Sequence, residues 1–252
     1  MNELSDLIID DVTIPIVAAG SGWLAVDKPP DLSVHNDPGV DLCSLLNRYF
    51  SSHPMDAETF GVTDFGFHAV HRLDRSTSGL MLAACRRETL SFLATQFQAR
   101  SVKKNYRAIL HGRLNPAGPS EEAWGVWDLP LTKKAAGRKN PEGGGLLRPS
   151  ETHYRILDHS SHYTLAELRP HTGRRHQIRR HAALAGHPVA GDKRYSPSRA
   201  VKFLRQRRRF QRLGLHAYAI ELILPENHHR RQTLSTDRLP VEMQRLFDSD
   251  RG

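Results

Sequence analysis

His71-Arg72-Leu73-Asp74-Arg75-Ser76-Thr77-Ser78-Gly79 runs directly into the apolar stretch LMLAAC at residues 80–85. A carboxylate set between two arginines, followed by three small hydroxyl residues and a glycine, suggests a tight loop entering a buried strand. Flanking guanidinium groups favour the ionised form of Asp74. An ionised carboxylate can be a nucleophile, a general base or a metal ligand. A structural ion pair at a strand start accounts for the same residues, so the segment alone leaves both readings open.

Outward from this loop, the pattern is one of strands scattered among helices. Residues 14–18 and 23–27 read as two strands around Gly20-Ser21-Gly22, closing at Lys28-Pro29-Pro30. Residues 41–50 place Leu42, Leu45, Leu46 and Tyr49 on one helical stripe behind Asp41, and residues 88–99 do the same with Leu90, Leu93, Ala94 and Phe97. Residues 106–111, 152–157, 163–169 and 216–224 alternate as strands. Helices are expected from 174 to about 185, over 200–212 and over 241–247. Residues 132–149 (TKKAAGRKNPEGGGLLRP) are rich in Gly, Lys and Arg, lack periodicity and read as a long mobile basic loop. With no internal repeat and no strict strand–helix rhythm, a single α+β domain over 1–252 is the expectation.

Composition narrows the class. The 252 residues, 38% hydrophobic and 25% charged, describe an ordinary globular chain with enough length to bury a core. No run approaches the ~18 apolar residues of a membrane-crossing helix, and the acidic N-terminus does not resemble a secretory signal. Two cysteines are too few for a disulfide scaffold or a cysteine-built zinc site. A cytoplasmic monomer without an obligate protein partner is expected. The net charge of +9 is regional. Residues 168–220 hold 14 Lys/Arg and one acid, Asp192, leaving 22 bases and 26 acids elsewhere. One-sided charge of this kind suits a polyanion such as nucleic acid.

Two further clusters carry chemistry. In Arg169-Pro170-His171-Thr172-Gly173-Arg174-Arg175-His176-Gln177-Ile178-Arg179-Arg180-His181, Arg175, Arg179 and Ala182 share a helical face, and the helix start would present free N–H groups to an anion. A solvated basic helix is the bland alternative. His176 and His181 lie about 140° apart around a helix, so they do not converge on a metal. In Lys103-Lys104-Asn105-Tyr106-Arg107-Ala108-Ile109-Leu110-His111-Gly112, Tyr106 could stack on a base while Lys104 holds phosphate, or simply pack in a core.

Taken together, the clusters resemble the RluA type of RNA pseudouridine synthase. HRLDRSTSG resembles the catalytic motif, KNYRAILHG the second motif and RPHTGRRHQIRRHAALAGHPVAGDKRY the third. WLAVDKPPDLSVH resembles the opening strand and its Lys-Pro turn, and LGLHAYAIELILP the closing strands. The resemblance implies a catalytic domain with a mixed, largely antiparallel central sheet, flanking helices and a basic RNA-binding cleft. It implies Asp74 as the catalytic carboxylate and Arg72 as the side chain that takes the flipped base's place. Tyr106 would pack on the uracil, Arg179 would pair with the catalytic aspartate, and Ile178 would line the pocket. Longer relatives carry a small RNA-binding domain ahead of the catalytic one; about twenty residues precede the first strand here, so none is expected. RNA contacts then fall to Lys104, Arg174, Arg175, Arg180, Arg205, Arg207, Arg208 and Arg209.

The implied reaction is isomerisation of uridine to pseudouridine with base flipping. It needs no cofactor and no metal. Arg180, where many relatives have an apolar residue, and Thr152-His153-Tyr154-Arg155 resemble the TruC-like branch and tilt the expected substrate towards tRNA over rRNA. Two other classes stand beside it: an RNA-binding protein that keeps the fold without catalysis, and a metal-dependent nuclease using Asp74 and histidines.

Overall fold

The computed structural model describes residues 6–115, 118, 123–227, 230–236 and 238–251. The elements, in chain order, are β1 (Leu7–Ile9), β2 (Val12–Ile14), β3 (Ile16–Gly20), β4 (Trp23–Lys28), α1 (Leu42–Ser52), α2 (Pro54–Thr59), β5 (His68–Ala69), β6 (Ser78–Ala84) and α3 (Arg87–Gln98). They continue as β7 (Lys103–His111), β8 (Gly125–Trp127), β9 (Leu131–Thr132), β10 (Leu147–Arg148), β11 (Thr152–His159) and β12 (Tyr163–Pro170). Last come α4 (Gln177–Leu184), α5 (Ser198–Arg207), β13 (Leu215–Ile223), β14 (Arg231–Ser235) and α6 (Val241–Asp248). The class is α+β. The chain divides into two compact units, Met1–Lys103 with Ala217–Asp237, and Lys104–His216 with Arg238–Gly252. Two of the three crossings, after Lys103 and after His216, fall inside β7 and β13, so no Gly- or Pro-rich linker marks them in the sequence.

The first unit is built around β6, whose seven residues are all buried. Its neighbours run β3-β4-β6-β13, with β5 on β6 and β14 on β13. The β4–β6 pairing is antiparallel from Trp23↔Ala84 to Lys28↔Gly79. Trp23, Leu80, Leu82, Leu93, Ile220 and Leu222 form its core. Asp41 caps α1 by accepting from the Ser44 N–H at 2.9 Å, which satisfies one of the orphan donors of a helix start. Gly79 sits at φ +119°, and a Cβ there would lie 2.2 Å from the Ala217 carbonyl oxygen, so only glycine fits this approach of β6 to β13. The β1–β2 hairpin turns at Asp10, with φ 53°. An aspartate tolerates that backbone, but nothing in the short apolar–acidic stretch signals it.

In the second unit the order β7-β12-β11-β8 is antiparallel throughout. Alternation sends Ala108, Leu110, Ala166, Leu168 and Ile156 into one cluster with Ile178 and Ala182 of α4. On the opposite face the buried Glu167 carboxylate is held by Arg155 at 2.6 Å and Arg169 at 3.0 Å, and both guanidiniums lie over the Trp124 ring. A second cluster joins Leu204 of α5 to Met243 and Phe247 of α6.

Two expectations are corrected here. The helix expected from 174 starts at Gln177, because His176 adopts φ 53°, outside helical geometry. The Gln177 side chain instead accepts from the Arg174 N–H (3.0 Å) and the Thr172 hydroxyl (2.6 Å), tying down the turn ahead of the helix. Likewise, the helix expected over 200–212 ends at Arg207.

The segment expected as a free loop over 132–149 is closed at its base by the β9–β10 pairing. Three arginines clasp it: Arg180 and Arg194 donate to its backbone carbonyls, and its own Arg138 donates to the Ser196 carbonyl at 3.2 Å. It is a tethered strap.

Candidate active site

Asp74 lies half-buried in the loop that feeds β6, and the Thr77 N–H donates to its carbonyl at 3.0 Å, closing a four-residue turn. The loop is fixed from beneath by Lys28. This side chain has no exposed surface, and its ammonium donates to the carbonyls of Pro29 (2.8 Å), Leu32 (2.8 Å) and Arg75 (3.1 Å). A buried charge is tolerated only when hydrogen-bonded this fully, so Lys28 positions the residue next to Asp74. Arg75 turns away: its Nε donates to Asp31 O at 2.9 Å and its Nη1 meets Asp37 at 3.4 Å. His71 accepts from the Leu82 N–H at 3.1 Å and stacks on Phe97 with centroids 4.6 Å apart. Arg72 is exposed, and no hydrogen bond or ion pair among the described residues holds it.

The second unit brings together other residues singled out in the sequence. Tyr106 pairs with Leu168 across β7 and β12 and packs, half-buried, on the cluster that contains Ile178. Beside Ile178, Arg179 is buried, and its guanidinium grips Asp192 with both Nε (2.7 Å) and Nη2 (2.9 Å). Bidentate geometry makes this a strong, oriented pair. Asp192 also accepts from the N–H groups of Arg194 (2.9 Å) and Tyr195 (3.2 Å), and the Tyr195 ring lies 5.3 Å from the Arg179 guanidinium. Burial pushes the Tyr195 phenol up, with the nearby arginines opposing, so the ring is a neutral wall. Sequence reading missed Asp192 as a partner. Its one signal was that it is the sole acid in 168–220.

The basic residues divide by environment. Arg205, Arg207 and Arg209 are exposed, as is Arg175. Arg174 donates to the Pro149 carbonyl at 3.2 Å, and Lys104 is half-buried on β7. Arg208, expected on the RNA track, is tied to the Ser249 carbonyl (3.1 Å) and to Asp250 (3.3 Å).

Arg180 is a clear correction. It has no exposed surface and donates to Pro141 O (2.5 Å), Thr132 O (3.0 Å), Arg175 O (3.2 Å) and Glu142 O. A guanidinium spent on four carbonyls inside the protein has nothing left to offer a phosphate. Its neighbour His181 is likewise structural: it bonds Thr152 and the Leu129 carbonyl, and burial pushes its imidazole down, keeping it neutral.

Residues 22–184 match a family model described as RNA pseudouridylate synthase. An uncharacterized RNA pseudouridine synthase of Chloroflexus aurantiacus is 35% identical over 222 residues, 86% of this chain and 63% of that protein. A protein named ribosomal large subunit pseudouridine synthase D from Haemophilus ducreyi is 34% identical over 223 residues, 86% of this chain and 65% of its own. The chain therefore spans less than two thirds of the length of these relatives. Among solved structures, Human RNA Pseudouridylate Synthase Domain Containing 4 superposes with a TM-score of 0.72 at 24% identity, covering 94% of this chain and 93% of that one. Human RNA Pseudouridylate Synthase Domain Containing 1 gives a TM-score of 0.68 at 24% identity over 89% and 83%. These two establish likeness of fold. No helix among the described residues is long and apolar enough to cross a membrane.

Proposed function

The chain belongs to the RNA pseudouridylate synthase family, and from that premise we propose that it isomerises uridine to pseudouridine in structured RNA with Asp74 as the catalytic carboxylate. The observation that carries the reading is that the family match, residues 22–184, spans Asp74, Tyr106, Ile178 and Arg179 together. Curated relatives are named as ribosomal large subunit synthases, so large-subunit ribosomal RNA is the first substrate class and tRNA the second. The lean towards tRNA rested partly on Arg180. That side chain is buried, with its donors on the strap carbonyls of Pro141, Thr132 and Glu142.

Each residue then has a physical task. The target uridine must leave its stack, which costs a few kcal/mol. Arg72, exposed and uncommitted among the described residues, fills the gap it leaves. Tyr106 offers a flat ring, steadied by the cluster around Ile178, against the flipped uracil. Asp74 acts at the anomeric carbon, or as the base that opens a glycal route. Arg179, whose guanidinium is oriented by Asp192, is the arginine that the resemblance assigns as partner of the catalytic carboxylate. Single-domain catalysis over 1–252 as a cytoplasmic monomer belongs to the same proposal, as do the RNA contacts of Lys104, Arg174, Arg175, Arg205, Arg207 and Arg209.

The test is incubation with unmodified ribosomal RNA fragments and tRNA in the presence of EDTA, mapping pseudouridine by a carbodiimide stop assay. A stop at a defined uridine, absent with Asp74→Asn, is expected, with RNA affinity largely kept by the variant. No stop on any RNA despite tight binding would favour a binding protein. Strand cleavage that requires divalent metal would favour a nuclease.

A further inference from the structure

The second unit contains a group of ligand-type side chains that the proposed reaction does not use. Strand alternation puts residues 151 and 153 on the same side of the β11 end, and the antiparallel ladder sets His171 directly across from Glu151, with the His171 N–H donating to Glu151 O at 2.9 Å. The result is a Glu–His–His cluster in which Glu151, His153 and His171 each offer one ligand atom, all within 4.8 Å of one another. The two imidazoles lie 4.1 Å apart, and His153 Nε2 meets the Glu151 carboxylate at 2.7 Å.

The backbone beneath is locked. The Glu151 N–H donates to the Thr172 hydroxyl (3.0 Å), the Glu151 carbonyl accepts from Gln177 Nε2 (2.8 Å), and the Thr172 hydroxyl donates to the same Gln177 side chain (2.6 Å).

We infer that Glu151, His153 and His171 bind a zinc-class divalent ion across the β11–β12 end. Two imidazoles and one carboxylate are the nitrogen and oxygen donors such ions take, whereas magnesium and calcium call for oxygen alone. Ligands on one tetrahedral zinc stand about 3.3 Å apart. The closure this requires falls to His171, which is exposed and whose ring no hydrogen bond among the described residues restrains. Three protein ligands leave the fourth position to water. Positive neighbours do not defeat the site. Arg169 is paired with Glu167 and donates to Asn105 (2.8 Å), and the Glu151 carboxylate in the cluster opposes the nearby cations at His171. Because Glu151 is bonded to Gln177, the ion would brace the turn that opens α4 immediately before Ile178 and Arg179.

The experiment titrates zinc chloride into the chelator-stripped full chain against a chromophoric zinc competitor, and follows thermal melting in parallel. One equivalent should bind, and His171→Ala should weaken it by about 100-fold, the upper end of what loss of a mere outer-sphere partner costs. Free zinc at about 100 times Kd should raise the melting temperature by about 5 °C in the unmodified chain. His171→Ala should melt normally without metal and gain only about 1 °C from the same free zinc. His35→Ala, exposed and in the other unit, should bind as the unmodified chain does. Stoichiometric binding retained by His171→Ala would overturn the assignment, as would equal weakening by His35→Ala or no competition by the unmodified chain.

Discussion

Replacing Arg180 separates two readings of the same residue. On sequence grounds it belongs to a basic RNA track; in the structure it is the buried clasp of the strap. Arg180→Met keeps the aliphatic stem and deletes the donors to Pro141, Glu142, Thr132 and Arg175. Hydrogen bonds from a charged donor contribute about 1.5–3 kcal/mol each when both partners stay buried. Four of them would sum to an unrealistic total, because the strap can swing out and rehydrate its carbonyls. The loss is therefore capped at the free energy of strap docking, about 3 kcal/mol, comparable to removal of one partner from a buried charged network.

The strap carries Lys133, Lys134, Arg138 and Lys139, so limited trypsin digestion reads its opening directly. A docking loss of about 3 kcal/mol raises the open population, and with it the cleavage rate, by about 100-fold. Urea unfolding should show a smaller midpoint. Arg180→Lys should fall between, since one ammonium cannot span carbonyls on both sides of the strap. The reasoning fails if Arg180→Met leaves strap cleavage and the unfolding midpoint unchanged while lowering RNA affinity and its salt slope.

Other outcomes follow from the same coordinates. Gly79→Ala places a Cβ 2.2 Å from a backbone oxygen at φ +119°, and should cost about 4 kcal/mol or more in urea unfolding; a loss under about 1 kcal/mol would contradict the packing of β6 on β13. His216 is fully buried, and burial, with Arg212 and Arg107 adding, pushes its imidazole from 6.5 down to about 3. The folded state thus refuses a proton that the unfolded chain takes at 6.5. Stability is whole above that pH and drains by about 1.4 kcal/mol per unit between 6.5 and about 3. His216→Leu should lack this component, so parallel pH–stability curves for the two proteins would rule it out. Replacing Arg205, Arg207 and Arg209 with Ala should flatten the salt dependence of RNA binding, whereas Arg208→Ala should lower stability through Asp250 and leave that slope alone.

Much of this was legible because the signals were local. The apolar run before Cys85, the Leu stripe behind Asp41 and the alternation over 216–224 each report burial within one element, and those elements formed. The motifs picked out Asp74, Tyr106 and Arg179 as candidates because each lies within a short segment. What escaped depended on distant partners. Arg180 reads as surface charge until the carbonyls of Pro141 and Glu142, some 40 residues away, arrive around it. Lys28 reads as a turn residue until Arg75 supplies its third carbonyl. His176 at φ 53° moved a helix start that periodicity put three residues earlier.

The way the strap is held has a consequence for how such a protein diversifies. Arg180 and Arg194 recognise main-chain oxygens at 132, 135, 136, 141 and 142, and those oxygens are the same whatever side chains the positions carry. The strap can therefore accumulate substitutions along most of its length without loosening its grip on the body. Selection acting on its outward residues, Lys133, Lys134 and Lys139 among them, is thereby uncoupled from selection for folding.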